Sequence, residues 1–174
     1  MDGRQRVLVA EDETIIRLDL CGMLQGLGLA VCGSARDGLE AVELARTLEP
    51  DLVLMDVKMP RLDGIEAARR INAERPVPVV LLTAYSDRGL VRRAVEAGVF
   101  AYLVKPFREQ DLVPAIETAV ARHAELLEAR RQVGAQGDEP VQLQIHSRSG
   151  GTWPVRIGRM PDGSLDVTIV DPPQ

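Results

Sequence analysis

Short apolar runs, each broken off by a polar residue and followed by a stretch of helical periodicity, confine this chain to a narrow set of architectures. The runs are Val7 to Ala10, Leu29 to Ala35, Leu52 to Met55 between Asp51 and Asp56, Val77 to Leu82, and Phe100 to Val104. Runs this short and this apolar suit strands buried on both faces of a sheet. Between them lie helical patterns. Thr14 to Leu27 carries Ile15, Ile16, Leu20, Met23, Leu24 and Leu27 on one broad stripe, and Gly38 to Leu48 carries Leu39, Val42, Ala45 and Leu48. Gly64 to Ala73 turns Ile65, Ala68 and Ile71 inward, and Asp87 to Ala97 does the same with Leu90, Val91, Ala94 and Val95. Strand and helix alternating through short connections predict a five-stranded parallel sheet, doubly wound, with helices on both faces.

These units occupy residues 1–122 of a chain of 174, which leaves room for an appendage but not for a second full-sized domain. The last helix outlasts the body. Leu112, Ile116, Ala119, His123, Leu126, Arg130 and Val133 alternate spacings of four and three, a heptad rhythm interrupted by His123 and Arg130. Residues 123–133 therefore form a helical extension with a coiled-coil seam that suits a homodimer, or else a solvated linker beyond Ala119. Pro114 fits if Asp111 caps the helix, since the missing N–H then falls among the unpaired donors of the first turn. From residue 134 the period changes to two. Val141, Leu143 and Ile145, then Val155 and Ile157, then Leu165, Val167 and Ile169 predict three strands, with turns at Gly150-Gly151 and Pro161-Asp162-Gly163. Such a β-rich tail must pack on the body or on a second copy, or remain largely disordered. Trp153, the only Trp, serves either as its anchor or in its own core.

A net charge of -5 without a long basic run argues against a strong backbone-reading nucleic-acid surface. Arg122, Arg130, Arg131, Arg156 and Arg159 keep a nucleic-acid-binding alternative open for the C-terminal region. Cys21 and Cys32 read as buried free thiols, and His123 and His146 lie too far apart for a histidine metal site. No apolar run reaches membrane-spanning length, and Met1 to Arg6 lead straight into a strand rather than a signal peptide, so a cytoplasmic location is expected.

Ligands of open α/β sheets collect beyond the carboxyl ends of the strands. In this chain Glu11 and Asp12 close the first strand, Asp56 the third and Thr83 the fourth, and Lys105 follows the fifth. Taken singly, each is also an ordinary cap, turn or surface residue. Converging on one edge, they form an acidic cleft with one ammonium and one hydroxyl, and oxygen ligands at that density suit Mg²⁺. The metal and Lys105 would offset charge on a transferring phosphoryl group, Asp56 would attack phosphorus, and Thr83 would donate to a phosphoryl oxygen.

Glu11-Asp12, Asp56 with Met59-Pro60 and Gly64, Thr83-Ala84, and Lys105-Pro106-Phe107 together resemble the signature of the response-regulator receiver domain of two-component signalling. The resemblance covers about residues 5–122 and implies a flavodoxin-like fold. It implies that Asp56 accepts a phosphoryl group from a sensor histidine kinase. It also implies Mg²⁺ held by Asp12, Asp56, the backbone carbonyl of Lys58 and, through water, Glu11. Thr83 and Tyr102 would be the switch residues. Glu11 stands where Asp is more usual, which lengthens the arm and keeps the charge. Ala10 to Glu13, Met55 to Pro60 and Ala101 to Phe107 are similar to the receivers of ANTAR-type regulators, but residues 134–174 lack the helices and basic balance of an ANTAR output. The expected activity is that of a phosphoryl acceptor that also sheds its own phosphoryl group, not a turnover enzyme. A phosphorylation-independent interaction module is the other alternative, with Lys58 and Tyr85 flanking the site and bearing on phosphoryl lifetime.

Overall fold

The computed structural model describes residues 4–84, 88–99, 101–136, 141–146, 152–160 and 165–170. Five parallel strands form the central sheet: β1 (Arg6–Ala10), β2 (Ala30–Ala35), β3 (Leu52–Asp56), β4 (Val79–Thr83) and β5 (Ala101–Val104), in the order β2-β1-β3-β4-β5. Every residue of β3 and β4 is buried, as their unbroken apolar character requires. Strand order reverses at β1, so the crevice of this doubly wound sheet opens between β1 and β3 at their carboxyl ends. Registers Ala10↔Met55 and Asp56↔Leu82 end β1 one residue short of Asp56, so that the chain following Ala10 emerges beside it at that edge.

The helices α1 (Thr14–Gly26), α2 (Gly38–Leu48), α3 (Gly64–Glu74), α4 (Arg88–Glu96) and α5 (Glu109–Gln136) divide the apolar interior into two layers. Leu20 and Leu24 of α1 pack with Leu112 and Ile116 of α5 on one face, and Ile65, Ala68 and Ile71 of α3 pack with Ala94 of α4 on the other. Two expected inner faces are shifted. Ile15 is 84% exposed and Leu39 41%, while α2 buries Gly38, Ala41 and Ala45. A run spaced by three falls about 60° behind the helical repeat at each step, so Leu39 and Leu48 cannot share one narrow face. The thiols of Cys21 and Cys32 are free and only half-buried, and the Cys32 Sγ lies 3.4 Å from the Val7 carbonyl oxygen.

Helix α5 starts at Glu109, two residues before the expected cap, and runs for 28 residues. Asp111 therefore lies inside it, where its carboxylate accepts from the Arg108 amide at 2.9 Å. Pro114 is consequently past the first turn and costs one intrahelical bond. The extension is not a solvated linker, for Leu126 and Ala129 are 2% and 3% exposed. Beside them the His123 Nε2 and Arg130 Nε are buried without hydrogen-bond partners. Burial, together with the charges of Arg130 and Arg75, holds the His123 imidazole below its usual range. A second sheet, antiparallel β6 (Val141–His146), β7 (Thr152–Arg159) and β8 (Leu165–Ile169), packs through β6 and β7 on α5 and through β8 on α4. Val155 is fully buried, and the Trp153 side chain lies outside the described residues.

An acidic pocket at the carboxyl edge of the sheet

The β1–α1 turn delivers Glu11 and Asp12, and β3 ends on Asp56, so carboxylate oxygens of all three lie within 4.8 Å of one another. Lys105 follows β5 and reaches back across the edge, its Nζ 2.7 Å from Glu11 Oε2 and 2.7 Å from Asp56 Oδ1. Backbone bonds fix this reach: the Lys105 amide donates to the Thr83 carbonyl at 2.8 Å and the Glu11 amide to the Ala35 carbonyl at 3.0 Å. The Lys105-Pro106 peptide is cis. Glu11, Asp56 and Thr83 are 1%, 5% and 4% exposed, whereas Asp12 faces solvent at the mouth.

The electrostatics follow from that crowding. Burial pushes the Asp56 carboxyl above the usual carboxylate range; Lys105 pulls it down, Asp12 pushes it up, and the Lys58 backbone amide, donating to it, pulls it down again. Burial raises Glu11 too, against its bond from Lys105 and with the Asp56 charge adding to the rise. The Lys105 ammonium is held above its ordinary value because its bonds to both acids outweigh its own burial. A carboxyl raised in the folded state stabilises the fold fully below its unfolded value, and that contribution is lost as pH rises through the raised value. At neutral pH Glu11 and Asp56 thus work against the fold unless a cation offsets them. A hard divalent ion suits this set, because it takes carboxylate and carbonyl oxygens in octahedral array and keeps water on its remaining positions.

Of the residues expected to converge, Glu11, Asp12, Asp56 and Lys105 do so, and Thr83 stands at the neighbouring strand end, in register with Val104. Tyr102 is partly buried and packs against the same core layer as Leu90 of α4. An open cleft of about 790 Å³, lined by Lys58, Thr83, Leu90 and Arg93 among others, adjoins the pocket on that side. Tyr85 lies outside the described residues.

Several supporting residues lie outside the expected set, although Asp37 and Asp63, each three residues before a Glu at a helix start, carry a capping signal in the sequence. The Arg17 guanidinium donates to the Glu11 carbonyl at 2.5 Å and the Asp12 carbonyl at 3.3 Å, tying the acid pair to α1. Asp63 caps α3 through the amides of Ile65 and Glu66, at 3.0 and 2.9 Å, and its second oxygen meets Arg93 of α4 at 2.9 Å. Asp37 caps α2 through the Glu40 amide at 2.9 Å and pairs with Arg61 of the β3–α3 loop.

The profile of the response regulator receiver domain matches residues 7–117. The transcriptional regulatory protein PdtaR of Mycobacterium tuberculosis is 49% identical over 154 residues, covering 88% of this chain and 75% of that protein. The similarity therefore runs past the receiver into the C-terminal segment. The signal receiver domain of a modulated diguanylate cyclase from Desulfovibrio desulfuricans superposes with a TM-score of 0.64 at 33% identity, over 71% of this chain and 98% of that one. The receiver domain of the sensor histidine kinase PA1611 from Pseudomonas aeruginosa superposes at 0.61 with 34% identity, over 68% and 99% of the two chains, and holds a magnesium ion in its active site cleft.

Proposed function

Because the chain belongs to the response regulator receiver domain family, we propose that it accepts a phosphoryl group on Asp56 from a sensor histidine kinase and thereby switches a surface for a second copy or another partner. The observation that carries this reading is the Lys105 Nζ set between Asp56 and Glu11 at one sheet edge, with Asp12 beside them. Asp12, Asp56 and the Lys58 carbonyl would hold Mg²⁺, with Glu11 acting through water. That ion supplies charge neutralisation at the transferring group. Asp56 supplies the attacking carboxylate oxygen, Lys105 meets the charge on the phosphoryl oxygens, and the Thr83 hydroxyl donates to one of them.

Thr83 and Tyr102 would carry the switch. Thr83 ends β4 ahead of α4, and Tyr102 and Leu90 of α4 both pack against the same core layer. A ligand on Asp56 that draws Thr83 toward it would bias a two-state arrangement of this region. The surface so affected, built by α4, β5 and α5, is the one on which the C-terminal sheet rests. We divide the chain accordingly into a receiver (1–122), a helical extension (123–133) whose heptad positions His123, Leu126 and Arg130 are turned inward within this chain, so that a dimer seam there would require the segment packed on α5 to withdraw, and a β-rich tail (134–174) that bears on the output.

Three measurements test this reading. Incubation with Mg²⁺ and a small phosphodonor is expected to yield phosphoprotein by intact mass, and chelation of Mg²⁺ to abolish it; Mg²⁺-independent labelling would contradict the assigned pocket. Mg²⁺ alone is expected to raise the melting temperature, by about 2.7 kcal/mol of stabilisation at a hundred times its dissociation constant. That gain should shrink as pH falls through the raised carboxyl range, since protons then compete for the same oxygens. Sedimentation with and without a phosphoryl mimic reads the dimer directly.

A further inference from the structure

The loop between β3 and α3 brings the Lys58 amide to Asp56; Val57 and Met59 bury its first half in the core, and its second half is held from outside as well as from within. Its residues 57–63 have no helix or strand of their own. Its backbone is tied by the Val57 amide to the Leu82 carbonyl of β4 and the Gly64 amide to the Val57 carbonyl, both at 2.9 Å, and by one short turn bond, the Leu62 amide to the Pro60 carbonyl at 2.7 Å. At its middle Arg61 takes a left-handed backbone, φ 65°, which an L residue other than Asn, Asp or Gly adopts at a cost. That conformation sends its guanidinium to Asp37, which is 4% exposed and lies 24 residues away at the start of α2. Directly after Asp37, Gly38 lies so close to the loop that a Cβ there would fall on the Leu62 carbonyl oxygen, 2.9 Å from its carbon.

We propose that Asp37 and Arg61 are positioning residues of the acidic pocket: their ion pair, with Gly38 packed against Leu62, holds the loop where its Lys58 amide meets Asp56 and its Lys58 carbonyl meets the metal. The inference rests on the metal-binding reading given above and adds the group that orients one ligand. Asp37 has two separable duties. One oxygen caps α2 through Glu40, and the other holds Arg61. The duties diverge on substitution, because Asn caps a helix about as well as Asp but brings no charge to an arginine. Arg61 is separable likewise, since Asn accepts the left-handed backbone with a side chain too short to reach Asp37.

The test measures Mg²⁺ affinity of the full chain by calorimetry, with Mn²⁺ paramagnetic resonance as a second readout, alongside thermal melting. Asp37→Asn and Arg61→Asn are expected to weaken binding about tenfold, the lower end of what supporting residues of metal sites contribute. Their melting temperatures should stay close to wild type. Arg61→Lys, which restores a cation within reach of Asp37, should recover most of the affinity. Affinities within twofold of wild type in both Asn variants would overturn the proposal alone. So would losses that simply track melting temperature with no recovery in the lysine variant. A wild-type chain that binds neither ion would overturn the pocket reading and this proposal with it.

Discussion

Asp56→Ala is expected to fold, to keep the Glu11–Lys105 pair, and to take up no phosphoryl group under conditions that label the wild type fully. The fold survives because Asp56 is a buried acid among acids. Its carboxyl is pushed up by burial and by Asp12, so its removal at neutral pH relieves crowding while Lys105 retains Glu11 at 2.7 Å. The chemistry does not survive, because neither remaining acid matches its surroundings. Both Glu11 oxygens are engaged, by the Glu13 amide at 3.2 Å and by Lys105, and the group is 1% exposed. Asp12 is exposed at the mouth, where water screens the developing charge and the Lys105 ammonium is not set against it. Intact-mass analysis after treatment with Mg²⁺ and a small phosphodonor decides the matter. Labelling of Asp56→Ala at the wild-type level would move the acceptor to another side chain.

The sheet and the pocket were legible in the sequence for a common physical reason. Strands buried on both faces need unbroken apolar runs, and a run that ends on an acid places that acid at the edge, so Val7 to Ala10 and Leu52 to Met55 located Glu11, Asp12 and Asp56 together. The supporting ion pairs were not legible. Asp37 with Arg61 and Asp63 with Arg93 join residues 24 and 30 positions apart through loop and helix ends, and no periodicity marks such pairs. Charge in a heptad misled in the other direction. His123 and Arg130 read as polar interruptions of the seam, but both carry buried side-chain nitrogens, and β6 and β7 pack on α5. A helix face alone does not reveal what the distant chain brings to it.

Gly64→Ala is expected to be the most damaging small substitution near the site, lowering stability by about 1–3 kcal/mol and reducing Mg²⁺ affinity with it. Gly64 opens α3 and is fully packed against the end of β3: an added Cβ would fall on the Asp56 carbonyl oxygen, 2.9 Å from its carbon and 3.1 Å from the Val57 Cα. Every neighbour here is backbone, so no side chain can swing aside. Relief requires either that α3 withdraw, opening the buried contacts of Ile65 and Ala68, or that the end of β3 move, carrying the Asp56 carboxylate out of reach of Lys105. The first route appears as lost melting temperature, the second as lost Mg²⁺ affinity, and the short chain between Asp56 and Gly64 couples the two. Gly22 supplies the contrast within the same fold, since a Cβ there meets nothing within 4 Å and helix interiors favour Ala over Gly by about 0.5–1 kcal/mol. Gly22→Ala should therefore raise the melting temperature while Mg²⁺ binding stays as it was. Equal melting temperatures for the two variants would mean that the approach of α3 to Asp56 has slack, and that the pocket is held from the Lys105 side alone.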